Sequence, residues 1–135
     1  MIVADTSVWI DWFRDADKSH VDELQRLLDA RLPVALTDVV LTEILQGLRS
    51  DDAVARVEQR LEPFEVLRLL GLEDFRRAAA LYRTARRGGA TIRRTLDCLI
   101  ASVCVRENVP ILHADADFDH LARHTDLRVH RPRSS

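Results

Sequence analysis

The chain has 135 residues, 47% of them apolar and 31% charged, and a formal net charge of −2. This length and apolar fraction suit one domain, 1–135, with a real core, and the near-neutral balance gives no whole-molecule argument for a polyanion partner. Met1-Ile2-Val3-Ala4-Asp5 lacks the basic start and apolar stretch of a signal peptide, and no segment reaches membrane-spanning length, so a cytoplasmic protein without membrane contact is expected.

Ile2 to Ala4 forms a short apolar run closed by Asp5, and Thr6 or Ser7 can cap a helix carrying Val8, Trp9, Trp12 and Phe13. Ser19 with Asp22 suggests a capping box for a second helix, whose Val21, Leu24, Leu27 and Leu28 repeat at helical spacing until Pro33. Val34 to Leu36 is the next strand. Thr37 or Asp38 then caps a helix through Val39, Val40, Ile44, Leu45 and Leu48, and Asp51 to Leu61 is a further helix. Phe64 to Leu67 reads as a strand. Leu72, Phe75, Ala79, Leu81 and Tyr82 mark a long helix, stopped by Gly88-Gly89 in the manner of a left-handed cap that opens a mobile loop. The apolar stripe Leu96, Leu99, Ile100, Val103 and Cys104 follows. Pro110 to His113 is predicted as a strand, Phe118 and Leu121 as a short helix, Leu127 to His130 as a last strand, and 131–135 as a polar tail.

Short, non-alternating apolar strands separated by helices predict an α/β fold: three layers, α/β/α, around a central, mostly parallel sheet. Sites in such folds form beyond the carboxyl ends of the strands. Cys98 and Cys104, six apart on one helix, point to nearly opposite sides and read as small core residues of a reducing compartment.

Four carboxylates sit in otherwise apolar stretches: Asp5, Glu43, Asp97 and Asp115. A buried carboxylate persists only when paired, hydrogen-bonded or bound to metal. Asp5 and Asp115 each follow a strand. Glu43 lies one turn into its helix beside Gly47, whose missing side chain suggests close approach by another group or simply the helix end. Asp97 stands at the edge of its apolar stripe, either facing inward or favouring the helix dipole.

Asp115, Asp117 and Asp119 alternate as in a calcium loop, but His120 stands where that loop needs glycine and Asp126 where it needs glutamate. His120 and His124 lack the further ligands of a zinc site. An oxygen-only cluster selects a hard cation, Mg²⁺ or Mn²⁺, and phosphodiester hydrolysis is the economical chemistry for it. Nineteen of the twenty basic residues are arginine, and seven fall between Arg76 and Arg94. They suit bidentate phosphate contacts, with Arg86, Arg87, Arg93 and Arg94 as RNA-binding candidates, unless the run is only a solvated face.

Four segments, Ile2 to Ile10, Thr42 to Gly47, Leu96 to Ala101 and Asp115 to Phe118, together resemble PIN-domain ribonucleases, specifically VapC-type toxins of bacterial toxin-antitoxin pairs. The resemblance spans nearly the whole chain. It implies a PIN-like fold, metal-dependent endonucleolytic cleavage of structured RNA such as tRNA or ribosomal RNA, a VapB-like antitoxin and a homodimer. Asp5, Glu43, Asp97 and Asp115 match the catalytic, metal-binding acids, with Asp117 as a fifth metal candidate. Thr6 or Ser7 matches the hydroxyl supporting the first acid. Many members carry Thr or Ser where this chain has His113. Two other classes compete: a phosphoacceptor, receiver-like signalling domain, which would need a lysine near the acids where the only lysine is Lys18, and a catalytically silent RNA-binding module of the same fold.

Overall fold

The computed structural model describes residues 1–133; Ser134 and Ser135, the end of the expected polar tail, lie outside the described residues. The elements in chain order are β1 (Ile2–Ala4), α1 (Thr6–Phe13), α2 (Ser19–Asp29), β2 (Val34–Thr37), α3 (Asp38–Gln46), α4 (Asp51–Leu61), β3 (Glu65–Leu67), α5 (Leu72–Arg87), α6 (Thr95–Glu107), β4 (Ile111–Leu112) and α7 (Ala116–His124). The sheet order is β3-β2-β1-β4 and every pairing is parallel. Val3 lies opposite Ala35 on one side and Ile111 on the other. Val3, Ala4, Ala35, Leu36, Ile111 and Leu112 have no exposed surface, which is why these strands are continuously apolar rather than alternating.

Helix α1 packs on α2 and α3, while α5 packs on α6 and α7. The chain steps one way from β1 through β2 to β3, then returns across the sheet to β4. Right-handed crossovers running in opposite directions place the two helix groups on opposite faces and complete the three layers. They also leave a crevice between β1 and β4, where the direction of winding reverses.

Local chemistry explains several helix ends. The Thr37 hydroxyl accepts from the Val40 amide, and the Ser50 hydroxyl accepts from Ala53. Gly89, at φ +94°, closes α5, with the Gly89 amide donating to Arg86 and the Ala90 amide to Ala85. The loop after it is anchored, because Ile92 is buried and the next two arginines are paired.

Besides the mobile loop, three expectations need correction. Ser19 lies inside α2, whose N-cap is Lys18 with no side-chain bond, so no capping box forms. Asp5, not Thr6 or Ser7, holds the N-cap position of α1, again without a side-chain cap bond. Of the two readings of Gly47 the helix end holds: it is the C-cap of α3, and a side chain there would meet only backbone of its own helix, no nearer than 3.7 Å. The strand expected at Leu127 to His130 is a single parallel bridge from Val129 to Ile111, because two-residue β4 offers no longer edge. After it, Arg131 lies 3.0 Å from Asp119.

The core is continuous, centred on Trp9, Leu24, Leu36, Ile100, Phe118 and Leu121. Trp9 packs against Phe64 and satisfies its indole N–H on the Ala4 carbonyl. Cys98 and Cys104 are free and buried, and burial pushes their thiols up to about 11 and about 12. They pack as inert small apolar groups. Among the described residues, no helix is long and apolar enough to cross a membrane.

Candidate metal centre

Asp5 leaves β1 at the crevice, and its amide donates to the Leu112 carbonyl at 2.9 Å, tying the end of β1 to the end of β4. The residue is 3% exposed. Its Oδ1 is buried without a hydrogen-bond partner, and its Oδ2 faces the Ser7 hydroxyl at 3.4 Å. Burial lifts the Asp5 carboxyl to about 7; the Thr6 amide and Arg94 oppose that rise, while the negative charges of Asp97 and Glu43 reinforce it. An orphaned carboxylate oxygen of this kind is costly unless something else satisfies it.

Glu43, on the inner side of α3, accepts from the Thr6 hydroxyl at 2.8 Å. Of the two hydroxyls matched to the support of Asp5, that of Thr6 is therefore spent on Glu43, and that of Ser7 is the one that faces Asp5. At the start of α6, Asp97 has no exposed surface. Arg94 lies between them, 3.0 Å from Glu43 Oε2 and 2.7 Å from Asp97 Oδ1. Burial raises the Asp97 carboxyl above its ordinary value despite that guanidinium. The pairing was legible in principle, since residues three apart on a helix meet.

Asp115 and Asp117 come from one turn. Asp115 holds the N-cap of α7 and its Oδ1 accepts from the Asp117 amide at 2.9 Å. Asp117, in the first turn, is 2% exposed. Arg93 serves this pair as Arg94 serves the other: its guanidinium is 3.0 Å from Asp115 and 3.5 Å from Asp117, and its amide donates to Asp117. One oxygen each from Asp97, Asp115 and Asp117 lie within 4.8 Å of one another. Asp5 and Glu43 stand outside that tight group; Asp5 is coupled to it through Asp97. Of the other arginines singled out, Arg86 lies over the Tyr82 ring and exposed Arg87 donates to the Thr84 hydroxyl.

A strand-end aspartate, a helix glutamate, an aspartate opening the next helix and a last aspartate pair thus converge at one sheet edge. Residues 2–124 match the family model described as PIN domain. The chain belongs to the PIN-domain family. Among PIN-domain relatives it is 39% identical over 130 residues to a VapC ribonuclease of Mycobacterium bovis, covering 96% of this chain and 97% of that one. It is equally similar, over the same shares, to ribonuclease VapC11 of Mycobacterium tuberculosis. In architecture it superposes on VapBC2 from Rickettsia felis, bound to a promoter DNA fragment, with a TM-score of 0.73, 19% identity and coverage of 96% and 98%. At that identity the likeness concerns the fold.

The donors fit a hard divalent cation. They are all oxygens, three approach closely enough to share one ion, and Asp5 Oδ1 lacks any other partner. Arg93 pairs with Asp115 and Asp117 and Arg94 with Glu43 and Asp97, so a cation there would compete with the two guanidiniums for these carboxylates.

Proposed function

We propose that this PIN-domain protein is a VapC-type endoribonuclease toxin that hydrolyses phosphodiester bonds of structured RNA, tRNA or ribosomal RNA, in the cytoplasm, under the control of a VapB-like antitoxin. The observation that carries the reading is the oxygen-only cluster of Asp97, Asp115 and Asp117 beside the unsatisfied Asp5 oxygen. The 39% identity to VapC ribonucleases over almost the whole chain supports the substrate class, and likeness to VapBC complexes supports the antitoxin. Mg²⁺ is the expected ion, with Mn²⁺ as a substitute, held by Asp5, Glu43, Asp97 and Asp115 together with Asp117. When bound, such an ion lowers the pKa of water and neutralises charge developing on the phosphate.

The chain's own residues supply the rest. Burial keeps solvent from Asp5 and Asp97, which strengthens every charge interaction at the crevice. Thr6 orients Glu43 through its hydroxyl. With a cation on the acids, Arg93 and Arg94 would be free to join Arg86 and Arg87 as contacts for the RNA backbone. A homodimer, the usual assembly of the family, completes the proposed state. The phosphoacceptor alternative lacks its lysine: Lys18 stands at the exposed start of α2, and the cations on the acids are arginines.

Two measurements test this. Asp5→Asn keeps shape and removes charge; the folded variant should lose cleavage of cellular RNA, read as metal-dependent new ends after brief induction, and parent-like cutting would defeat the proposal. Neutralising Arg86 and Arg87 together should weaken RNA binding and reduce the salt slope by roughly one to two. An unchanged slope returns those arginines to a solvated face.

A further inference from the structure

Asp115 reaches the crevice from a two-residue link after β4, and what fixes it there is an imidazole. The Asp115 amide donates to His113 Nδ1 at 3.0 Å. On the other side of the ring, His113 Nε2 lies 3.1 Å from Asp119 Oδ1, a carboxylate that Arg131 also holds at 3.0 Å. The ring is 5% exposed and rests against Phe118, with centroids 5.3 Å apart. A backbone amide can only donate, so Nδ1 must present a lone pair. The ring proton then belongs to Nε2, where the Asp119 carboxylate accepts it. His113 thereby clamps the β4–α7 connection at two points, one nitrogen on the amide of Asp115 and the other on the body of α7.

We propose that His113 is a positioning residue, a neutral imidazole whose Nδ1 fixes the backbone of Asp115 so that its carboxylate meets Asp97 and Asp117, and so sets the cation affinity of the cluster. The proposal rests on the metal reading above for its affinity step, and on the hydrogen bond alone for its structural step. Partners that orient a metal ligand typically change affinity about 10- to 100-fold when removed. His113 reaches its ligand through the backbone, which separates loss of the bond from loss of the ring.

Three variants divide the ring's two functions. His113→Asn places an acceptor oxygen near the position of Nδ1 and gives up the donor to Asp119. His113→Gln reaches the position of Nε2 and gives up the acceptor for Asp115. His113→Leu keeps bulk and loses both. Hydrogen exchange at the Asp115 amide, read without metal, should stay slow in the parent and His113→Asn and become at least about tenfold faster in His113→Gln and His113→Leu. Calorimetry with Mn²⁺ alone, no RNA present, should follow the same order, with His113→Asn within about threefold of the parent and the other two weaker by about tenfold or more.

If His113 served packing only, exchange and affinity would follow thermal stability regardless of which nitrogen is mimicked, and that result overturns the proposal. Equal Mn²⁺ affinity in all four proteins overturns it as well. A parent that binds no Mn²⁺ while the exchange order holds defeats the metal reading and the affinity step with it, and leaves the amide clamp supported.

Discussion

Arg94 Nη2 lies 2.7 Å from Asp97 Oδ1, three residues further along the chain, and holds a carboxylate with no exposed surface. The same guanidinium reaches Glu43 at 3.0 Å, so one half-exposed arginine is counterion to two acids on different helices. The pairing holds Arg94 above its ordinary pKa, first through the bond to Asp97.

Arg94→Gln removes that charge and leaves Asp97 buried with its burial penalty unopposed. Above pH 7 the metal-free variant should be less stable by about 1–2 kcal/mol, a value held down by solvent screening of the exposed end. Its Mn²⁺ affinity should rise, because the cation no longer displaces a guanidinium. Urea denaturation with and without Mn²⁺ measures both, and an unchanged affinity would mean that Arg94 does not compete for the acids.

Asp5 makes the metal-free protein sensitive to pH near neutrality. Its folded value, about 7, exceeds the unfolded value of 3.8, so between them the folded state binds the extra proton and stability falls as pH rises. Over that window the loss is on the order of 4 kcal/mol at 1.36 kcal/mol per unit, and above pH 7 no further change comes from this group. Asp97, also raised by burial, adds in the same direction. Asp5→Asn should flatten the fall, and saturating Mg²⁺ should offset it in the parent by favouring the ionised acid. Denaturation midpoints at half-unit pH steps read this directly; a midpoint that rises from pH 4 to 7 without metal would contradict it.

Gly88 is required by a neighbour rather than by its backbone. Its φ is −81°, open to any residue, but an added Cβ would run into the His124 ring at the end of α7. Gly88→Ala should cost about 1–3 kcal/mol. In a His124→Ala background most of that cost should vanish, giving a coupling of at least about 1 kcal/mol in a double-mutant cycle. Additive effects would show that the contact carries no strain.

Glu23 marks the acid limit. Its bonds to Arg26, with His130 helping, outweigh burial and hold its carboxyl down to about 2. The resulting stability is fully present above pH 4.5 and is lost as pH falls towards 2. His130→Ala should shift the acid midpoint upward by a few tenths of a unit, and far-ultraviolet circular dichroism across pH 2–5 measures it.

Every strand and helix that positions the acids is readable locally. Val3-Ala4 before Asp5 and Ile111-Leu112 before Asp115 announce strands buried on both faces, because an unbroken apolar run fits no half-exposed sheet. The failures fall where the local signal underdetermines the partner. Ser19 and Asp22 have capping-box spacing, yet the chain enters α2 one residue earlier. Leu127 to His130 has strand composition, but its length as a strand depends on β4, which ends after two residues.

The sequence by itself determined which residues are expensive to bury and which family the chain resembles, since both depend on residue type and order. Only the tertiary structure decided what each acid meets. Thr6 turns to Glu43, Arg93 and Arg94 turn inward, Asp117 joins Asp97 and Asp115 within 4.8 Å, and His113 holds the amide of Asp115. The longest of these contacts bring Thr6 of α1 and Arg94 beside α6 to Glu43 of α3, which is 37 residues from Thr6 and 51 from Arg94 (94 − 43). Such distances follow from the reversal of winding beside β1, and no window along the chain contains it.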